Sequence, residues 1–185
     1  MNRAIGIAGW CVIALVGVIQ VAVFAGLRLN LSPSVPLGVY WVDSSITPAV
    51  GDYVALCPPH NALFETALEL GYLAPGACRA GYGELIKVLA ATEGSSVATR
   101  EDGVWIDGEL WPLSTPLARD AHGRVVPQRS MPRFEVLGDQ SIWVMSERSA
   151  SGFDARYFGP LDRDALVARA TLLLTWGQPH ASLHR

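Results

Sequence analysis

The chain begins with a long apolar stretch. Residues 4–27 carry no charged side chain, and Gln20 is their one strongly polar residue. A helix rises about 1.5 Å per residue and needs about 20 residues to cross the hydrocarbon layer of a membrane. The pattern therefore predicts a single transmembrane helix, and we place the cytoplasmic start and this anchor at residues 1–28.

A cleavable secretory signal is the competing interpretation, because Arg3 precedes the stretch and residues 23–25 offer a cleavage site. The apolar core of such a signal usually runs about 7 to 15 residues, so the greater length here favours a retained anchor. Arg3 favours a cytoplasmic amino terminus, although Arg28 lies at the other end. We expect the rest of the chain outside the cytoplasm.

Beyond this stretch the apolar positions fall into short β-branched and aromatic runs. Strands are predicted at residues 38–42, 52–56, 83–90, 141–145 and 168–176. The Asp-Gly pairs at 102–103 and 107–108 flank a short apolar run and predict a tight hairpin. Asn61 is placed to cap a helix over residues 62–70 that stops at Gly71. Residues 116–132 hold few apolar side chains and are predicted to form a long surface excursion.

These elements predict a mainly β domain with short helices at residues 29–177, followed by a flexible tail at 178–185. The net charge is -3 and the 14 lysines and arginines are scattered, which argues against nucleic acid as a partner. The four histidines are isolated, so we expect neither a metal site nor a cofactor. Lys87 is the single lysine of the chain.

Cysteine positions leave one question open. Cys11 falls inside the apolar stretch, and Cys57 and Cys78 form an even pair in the remaining domain. An oxidising compartment would permit a bridge between them. Spacing alone is equally compatible with two separate buried thiols, because it does not show whether the two backbones approach each other.

Two side chains are candidates for chemistry. Ser34 lies between Pro33 and Pro36, directly after the apolar stretch. Since proline fixes its own φ and restricts the preceding residue, we expect Ser34 on an extended, exposed segment near the membrane surface. A linker would have the same composition.

Lys87 interrupts an apolar strand at residues 84–90. Burial there would lower its pKa from about 10.4 and make a neutral amine available as a base. The alternative is a lysine on the solvent face of a half-buried strand. A neutral lysine next to a serine can take the hydroxyl proton and activate it as a nucleophile.

Three segments carry a family resemblance. Residues 32–36 resemble the Ser/Thr-x-Ser-hydrophobic-Pro box of TraF-type peptidases, which are relatives of type I signal peptidases. Residues 85–88 resemble their lysine strand, and residues 153–160 are similar to their Asp-Ser-Arg-Tyr-Phe-Gly-Pro box. The resemblance implies a signal-peptidase-like β fold with Ser34 as nucleophile and Lys87 as general base.

The same resemblance assigns supporting roles. It implies an oxyanion hole built from the Ser32 hydroxyl and the Ser34 N–H. Asp154 and Arg156 are expected to form a structural ion pair near the site, the alternative being an exposed pair that contributes little. Cys57 and Cys78 resemble a cysteine pattern of TraF-type chains, which favours a disulfide.

The chain also departs from the family pattern. Members commonly carry a serine two residues before the box aspartate, where it contacts the catalytic amine, and this chain has Gly152 there. We expect Ser149 or Ser151 to substitute for it. Residues 146–148 stand where housekeeping signal peptidases have Gly-Asp-Asn, which favours the TraF branch.

The function implied is a Ser/Lys-dyad serine endopeptidase in the cytoplasmic (inner) membrane, single-pass, with its catalytic domain on the periplasmic side. Its expected substrate is a membrane-tethered precursor such as a conjugative pilin, which is cut and either hydrolysed or cyclised. Other expected partners are the lipid bilayer and components of a conjugation or type IV secretion apparatus. The alternatives are a general type I signal peptidase and a non-catalytic assembly protein.

Overall fold

The structure is a computed structural model that describes residues 2–130, 132 and 134–176. Its helices are α1 (Asn2–Phe24), α2 (Ala62–Glu69) and α3 (Ala155–Phe158), with a 3-10 turn at Arg163–Ala165. Its strands are β1 (Leu27–Asn30), β2 (Gly38–Asp43), β3 (Tyr53–Leu56), β4 (Leu85–Thr92), β5 (Ser96–Arg100), β6 (Gly103–Ile106), β7 (Glu109–Leu110), β8 (Glu135–Val136), β9 (Ser141–Met145), β10 (Leu161–Asp162) and β11 (Leu166–Thr175). The expectation of a mainly β chain with short helices is confirmed.

The strands form two antiparallel sheets. The larger sheet has the order β1-β2-β11-β3-β4-β9-β10, and the smaller one has the order β7-β6-β5-β8. β4 lies inside the larger sheet, with Lys87 opposite Val54 of β3 and Val88 opposite Met145 of β9. Because both edges of β4 are paired, its side chains sit on a backbone that its neighbours hold in register.

The core is aromatic where α2 and α3 approach the larger sheet. The Phe64 ring of α2 lies 5.2 Å from the Phe158 ring of α3 and 6.3 Å from the Phe153 ring, measured between centroids. Phe153 also stacks on Tyr157 at 5.9 Å. Burying such large rings stabilises the fold by about 1.5 to 3 kcal/mol per side chain, so the residues around α3 are held firmly against the sheet.

Several local predictions are confirmed by the structure. The Asn61 side chain accepts from the Phe64 N–H and caps α2, and Gly71 beyond its end has a φ of +80°. Asp107 and Gly108 both have positive φ, which is the conformation that a two-residue hairpin turn requires. Here the sequence signal is local, so the turn chemistry determines the structure directly.

Other strands were not predicted. β1 is the segment Leu-Arg-Leu-Asn and β5 is Ser-Val-Ala-Thr-Arg, and neither contains a run of large β-formers. Each segment forms a strand because it pairs with neighbouring strands: β1 pairs with β2, and β5 pairs with both β6 and β8. Since β-propensity depends strongly on neighbours, a short polar segment gives little signal of its own.

A disulfide joins Cys57, next to the end of β3, with Cys78 in the loop after α2. Their Cα atoms are 5.5 Å apart, which is a usual separation for such a bridge. The bridge closes the segment that contains α2 onto the sheet. It therefore holds the loop that leads into β4 close to the strand that pairs with β4.

In the amino-terminal helix α1, the structure describes the side chains of Trp10 and of residues 12–24, and most of these are exposed. Among the residues that the structure describes, no helix meets the length and hydropathy needed to cross a membrane. The transmembrane helix expected at residues 4–27 is thus not confirmed and stays a prediction. The tail expected at 178–185 lies outside the described residues.

Asp154 and Arg156 form a fully buried ion pair at the start of α3. Arg156 Nε lies 2.8 Å from Asp154 Oδ1 and Nη2 lies 2.9 Å from Oδ2, and neither side chain is exposed. Arg156 Nη1 also donates to the carbonyl oxygens of Leu113 and Ala150. The alternative of an exposed, weakly contributing pair is wrong.

We predict that Arg156→Met lowers the free energy of unfolding by about 3 to 5 kcal/mol, because it leaves the Asp154 carboxylate buried without its partner. Urea unfolding of the full chain in detergent measures this. The matched control is Arg169→Met, whose pair with Asp52 at 3.0 Å is partly exposed and should contribute about 0 to 1 kcal/mol. Equal losses in the two variants would contradict a dominant role for the buried pair.

Candidate active site

Ser34 lies in a turn between β1 and β2. Pro33 and Ser34 are turn residues, and the Ser34 side chain is buried. The expectation of an extended, exposed segment is therefore wrong. The φ that proline imposes suits a turn as well as an extended chain, and contacts from elsewhere in the molecule select the turn.

Asn30 supplies the first of those contacts. Its amide nitrogen donates to the carbonyl oxygens of Ser32 at 2.9 Å and Pro36 at 3.0 Å, and its side-chain oxygen accepts from the Ser32 N–H. The Tyr40 hydroxyl also donates to the Pro36 carbonyl at 2.8 Å. Sequence reasoning missed Asn30, although asparagine's tendency to bond the backbone of nearby residues is a usable signal.

The segment after β9 supplies the second set. The backbone N–H groups of Glu147 and Arg148 both donate to the carbonyl oxygen of Ser34, at 2.9 and 3.2 Å. A carbonyl held by two donors cannot rotate freely. The turn that carries Ser34 is thus fixed from both sides, by Asn30 before it and by residues 147 and 148 across the sheet.

Lys87 projects from β4 onto Ser34. Its side chain is 3% exposed, and its Nζ lies 2.8 Å from the Ser34 Oγ. The alternative of a lysine on a solvent face is excluded by that burial. The two residues stand far apart in the chain but within hydrogen-bond reach in space, which proton transfer between them requires.

Burial controls the charge of this amine. It lowers the pKa of Lys87 from its ordinary value of 10.5 to about 8, because the ammonium ion loses its hydration. The negative charge of Asp154 opposes that shift, and the positive charge of Arg156 adds to it. A substantial fraction of the amine is therefore neutral at mildly alkaline pH and able to accept the Ser34 proton.

A second serine contacts the same amine. Ser146 is fully buried, and its Oγ lies 3.0 Å from the Lys87 Nζ. The expectation that Ser149 or Ser151 would make this contact is wrong, because their hydroxyls pair with each other at 3.2 Å. Sequence reasoning missed Ser146 because the family's serine is expected six positions later, at residue 152.

Ser32 lies beside the candidate nucleophile. Its hydroxyl oxygen is 3.1 Å from the Ser34 Oγ. The structure therefore brings together Ser32, Ser34 and Lys87, which the sequence singled out, and adds Ser146. Asp154 and Arg156 lie behind this group, where Asp154 Oδ2 accepts from the Ser146 N–H at 2.9 Å.

Ser32, Ser34 and Lys87 line a cavity of about 330 Å³ between β1 and the beginning of β4. Leu29, Ile86 and Phe153 are among its lining residues. Arg28 and Glu84 join its two walls through a bidentate ion pair with a 2.6 Å Nε–Oε2 contact. A groove lined by strand segments suits an extended peptide, whose backbone can follow the sheet while side chains enter the cavity.

Comparison with known proteins supplies the family. Residues 3–176 match the family model described as signal peptidase, peptidase S26. A signal peptidase I from Enterococcus faecalis V583, known from a crystal structure, is 15% identical, with a TM-score of 0.41, over 68% of this chain and 98% of its own.

Sequence relatives are much closer. A plasmid transfer protein TraF from Escherichia coli is 40% identical over 152 residues, covering 82% of this chain and 84% of the relative. A second plasmid transfer protein TraF from Escherichia coli is 35% identical over 176 residues, with coverage of 95% and 97%. A conjugal transfer protein TraF from Agrobacterium tumefaciens (strain 15955) is 38% identical over 156 residues, with coverage of 84% and 86%. The chain therefore belongs to the signal peptidase family, peptidase S26, and its TraF relatives match it over most of its length.

Proposed function

We propose that this protein is a serine endopeptidase in which Ser34 is the nucleophile and Lys87 is the general base. The observation that carries the proposal is the buried 2.8 Å contact between the Lys87 amine and the Ser34 hydroxyl. Both residues lie in a cavity that opens to solvent. An amine with a pKa of about 8 is close to the operating pH that general-base catalysis favours.

The chemistry proceeds in two halves. Ser34 Oγ attacks the scissile carbonyl carbon while its proton passes to the Lys87 Nζ. The tetrahedral intermediate collapses as Lys87 returns that proton to the leaving amine, and an acyl-enzyme remains. Lys87 then takes a proton from the second nucleophile, either water or the amino terminus of the acyl fragment, as that nucleophile attacks the acyl carbon. When the bond to Ser34 Oγ breaks, Lys87 returns the proton to that oxygen, and a linear or a circular product is released.

Charge that develops on the carbonyl oxygen needs donors. The proposed donors are the Ser32 hydroxyl and the Ser34 N–H, since the Ser32 Oγ lies 3.1 Å from the attacking atom. One such donor typically contributes about 3 to 4 kcal/mol to transition-state stabilisation. Pro33, which lies between the two serines, has no N–H to offer.

The proposed substrate is a membrane-tethered precursor used in conjugal transfer, with a pilin precursor as the first to test. The names of the TraF relatives connect them with plasmid and conjugal transfer, and the groove suits an extended peptide. Conjugation or type IV secretion components would be the further partners.

The proposed location is the inner membrane, with the β domain on the periplasmic side. This rests on the apolar sequence of residues 4–27 and on exposed apolar side chains of α1, among them Ile13, Val18 and Val21. The Cys57–Cys78 disulfide is of the kind that persists in an oxidising compartment such as the periplasm.

We predict that Ser34→Ala and Lys87→Met each reduce processing of a co-expressed pilin precursor by about 1,000-fold or more, because each removes one half of the nucleophile–base pair. Intact mass of the product measures this, and a product lighter than the linear peptide by one water identifies cyclisation. Ser45→Ala is the matched control, since Ser45 is exposed in the loop after β2. Wild-type rates in both site variants would refute the assignment.

The reaction should depend on pH through Lys87. Only the neutral amine accepts a proton, so kcat/KM should rise about tenfold per pH unit below pH 8 and level off above it, given a pKa of about 8. Cleavage of a precursor peptide between pH 6 and pH 10 measures the profile. Constant kcat/KM from pH 6 to pH 9 would show that another group, or none, acts as the base.

We predict that the full chain stays with the membrane fraction after alkaline carbonate extraction. A Leu15→Arg, Ile19→Arg variant should be released, because each arginine at the centre of a span costs about 2.5 to 3.5 kcal/mol on insertion. Ile46→Arg, at an exposed apolar residue of the β domain, is the control and should remain bound. Release of the wild-type chain would refute the anchor.

A further inference from the structure

We propose that Ser146 is the positioning residue of Lys87, and that its hydroxyl occupies the space that a side chain at residue 152 would otherwise fill. The catalytic consequence rests on the proposed function, whereas the effect on the Lys87 amine does not. We therefore expect that a serine at either residue 146 or residue 152 can contact the Lys87 amine, provided that the other of the two residues is glycine.

The first support is the way in which Ser146 is held. Its N–H donates to Asp154 Oδ2 at 2.9 Å, and its carbonyl oxygen accepts from the Trp111 Nε1 at 2.9 Å. Because both backbone groups of Ser146 are hydrogen-bonded, its hydroxyl is held in a fixed position next to the Lys87 Nζ. It is therefore a preorganised partner rather than a mobile one.

The second support is the geometry at the amine. A neutral amine has one lone pair and two N–H groups, and only the lone pair can take the proton of Ser34. When the Lys87 amine donates one N–H to Ser146 Oγ, its lone pair is directed towards Ser34 Oγ, which lies 2.8 Å from the Lys87 Nζ. The same oxygen also accepts from the ammonium form and stabilises that form by a charge-assisted bond.

The third support is the absence of a side chain at residue 152. A Cβ added to Gly152 would overlap the Ser146 hydroxyl and would lie 2.6 Å from the Ser146 Cβ. Gly152 does not have a positive φ, so its backbone would accept another residue. Space, rather than backbone conformation, excludes a side chain, and Ser146 is what fills that space.

The test uses the fact that Lys87 is the only lysine. Full-length protein labelled with ¹³Cε-lysine, in detergent, gives one lysine side-chain signal, whose pH titration reports Lys87 directly. We expect a midpoint near pH 8 in the wild type. In Ser146→Ala the midpoint should fall by about one pH unit, since the ammonium form loses an acceptor, and kcat/KM on the plateau should fall about tenfold or more.

Exchange variants separate positioning from packing. Ser146→Gly combined with Gly152→Ser should restore the midpoint and bring kcat/KM to within about tenfold of the wild type. Ser146→Ala combined with Gly152→Ser should restore neither, because a Cβ remains at residue 146 and still meets the one added at residue 152. Urea unfolding of each variant shows that it is folded. Ser151→Ala, which removes the partner of Ser149, should leave the midpoint unchanged.

The outcomes are distinguishable. An unchanged midpoint and unchanged kcat/KM in Ser146→Ala would overturn the positioning role, even if Ser34→Ala abolishes cleavage and the proposed function holds. If the wild type cleaves no precursor but the midpoint follows Ser146 and returns in the glycine–serine exchange, the inference stands and the proposed function fails. Failure of the folded Ser146→Gly, Gly152→Ser variant to restore the midpoint, or its restoration in Ser146→Ala with Gly152→Ser, would overturn the proposal that the two side chains compete for one space.

Discussion

The burial of one amine is the constraint on which the rest of the site depends. Taking an ammonium ion out of water is expensive, so burial lowers the pKa of the Lys87 amine to about 8, and a substantial fraction of the amine is neutral at mildly alkaline pH. Asp154 and Arg156 lie behind it as a fully buried pair of opposite charges. Because the two charges act on the amine in opposite directions, they add rigidity to the site without forcing Lys87 into either state.

That amine is held by contacts from three distant parts of the chain. β4 is an interior strand that carries Lys87, and the turn between β1 and β2 presents Ser34 to it. The segment after β9 joins the two, because the Ser146 side chain contacts the amine while the Glu147 and Arg148 N–H groups hold the Ser34 carbonyl. A shift of this one segment would move Ser34 and Lys87 together, so its attachment to Asp154 fixes the geometry of the whole site.

Features that depend on neighbouring residues could be predicted from the sequence, whereas features that depend on residues far apart in the chain could not. The Asn61 cap and the turn at Asp107 depend on neighbouring residues, and both were predicted. Family resemblance, rather than physical pattern, paired Ser34 with Lys87. The burial of Ser34 was missed because the groups that cover it come from residues more than 50 positions away. Ser146 was missed because a sequence motif compares residue types at aligned positions. The contact with the Lys87 amine requires only that an oxygen lies within hydrogen-bond distance, whichever residue supplies it.

The proposed function adds one requirement that the Arg28–Glu84 pair meets. A peptidase that is tethered to a membrane and cuts a tethered substrate must keep its nucleophile at a set height above the lipid. The Arg28 guanidinium donates to the carbonyl oxygen of Val23 near the end of α1, and it also binds the carboxylate of Glu84, directly before β4. The end of α1 and the beginning of β4 are thus joined through the Arg28 side chain, and Ser34 lies in the turn that follows β1, the strand that contains Arg28. With so little intervening chain, the position of α1 would determine, under the proposed function, where along a tethered substrate the cut is made.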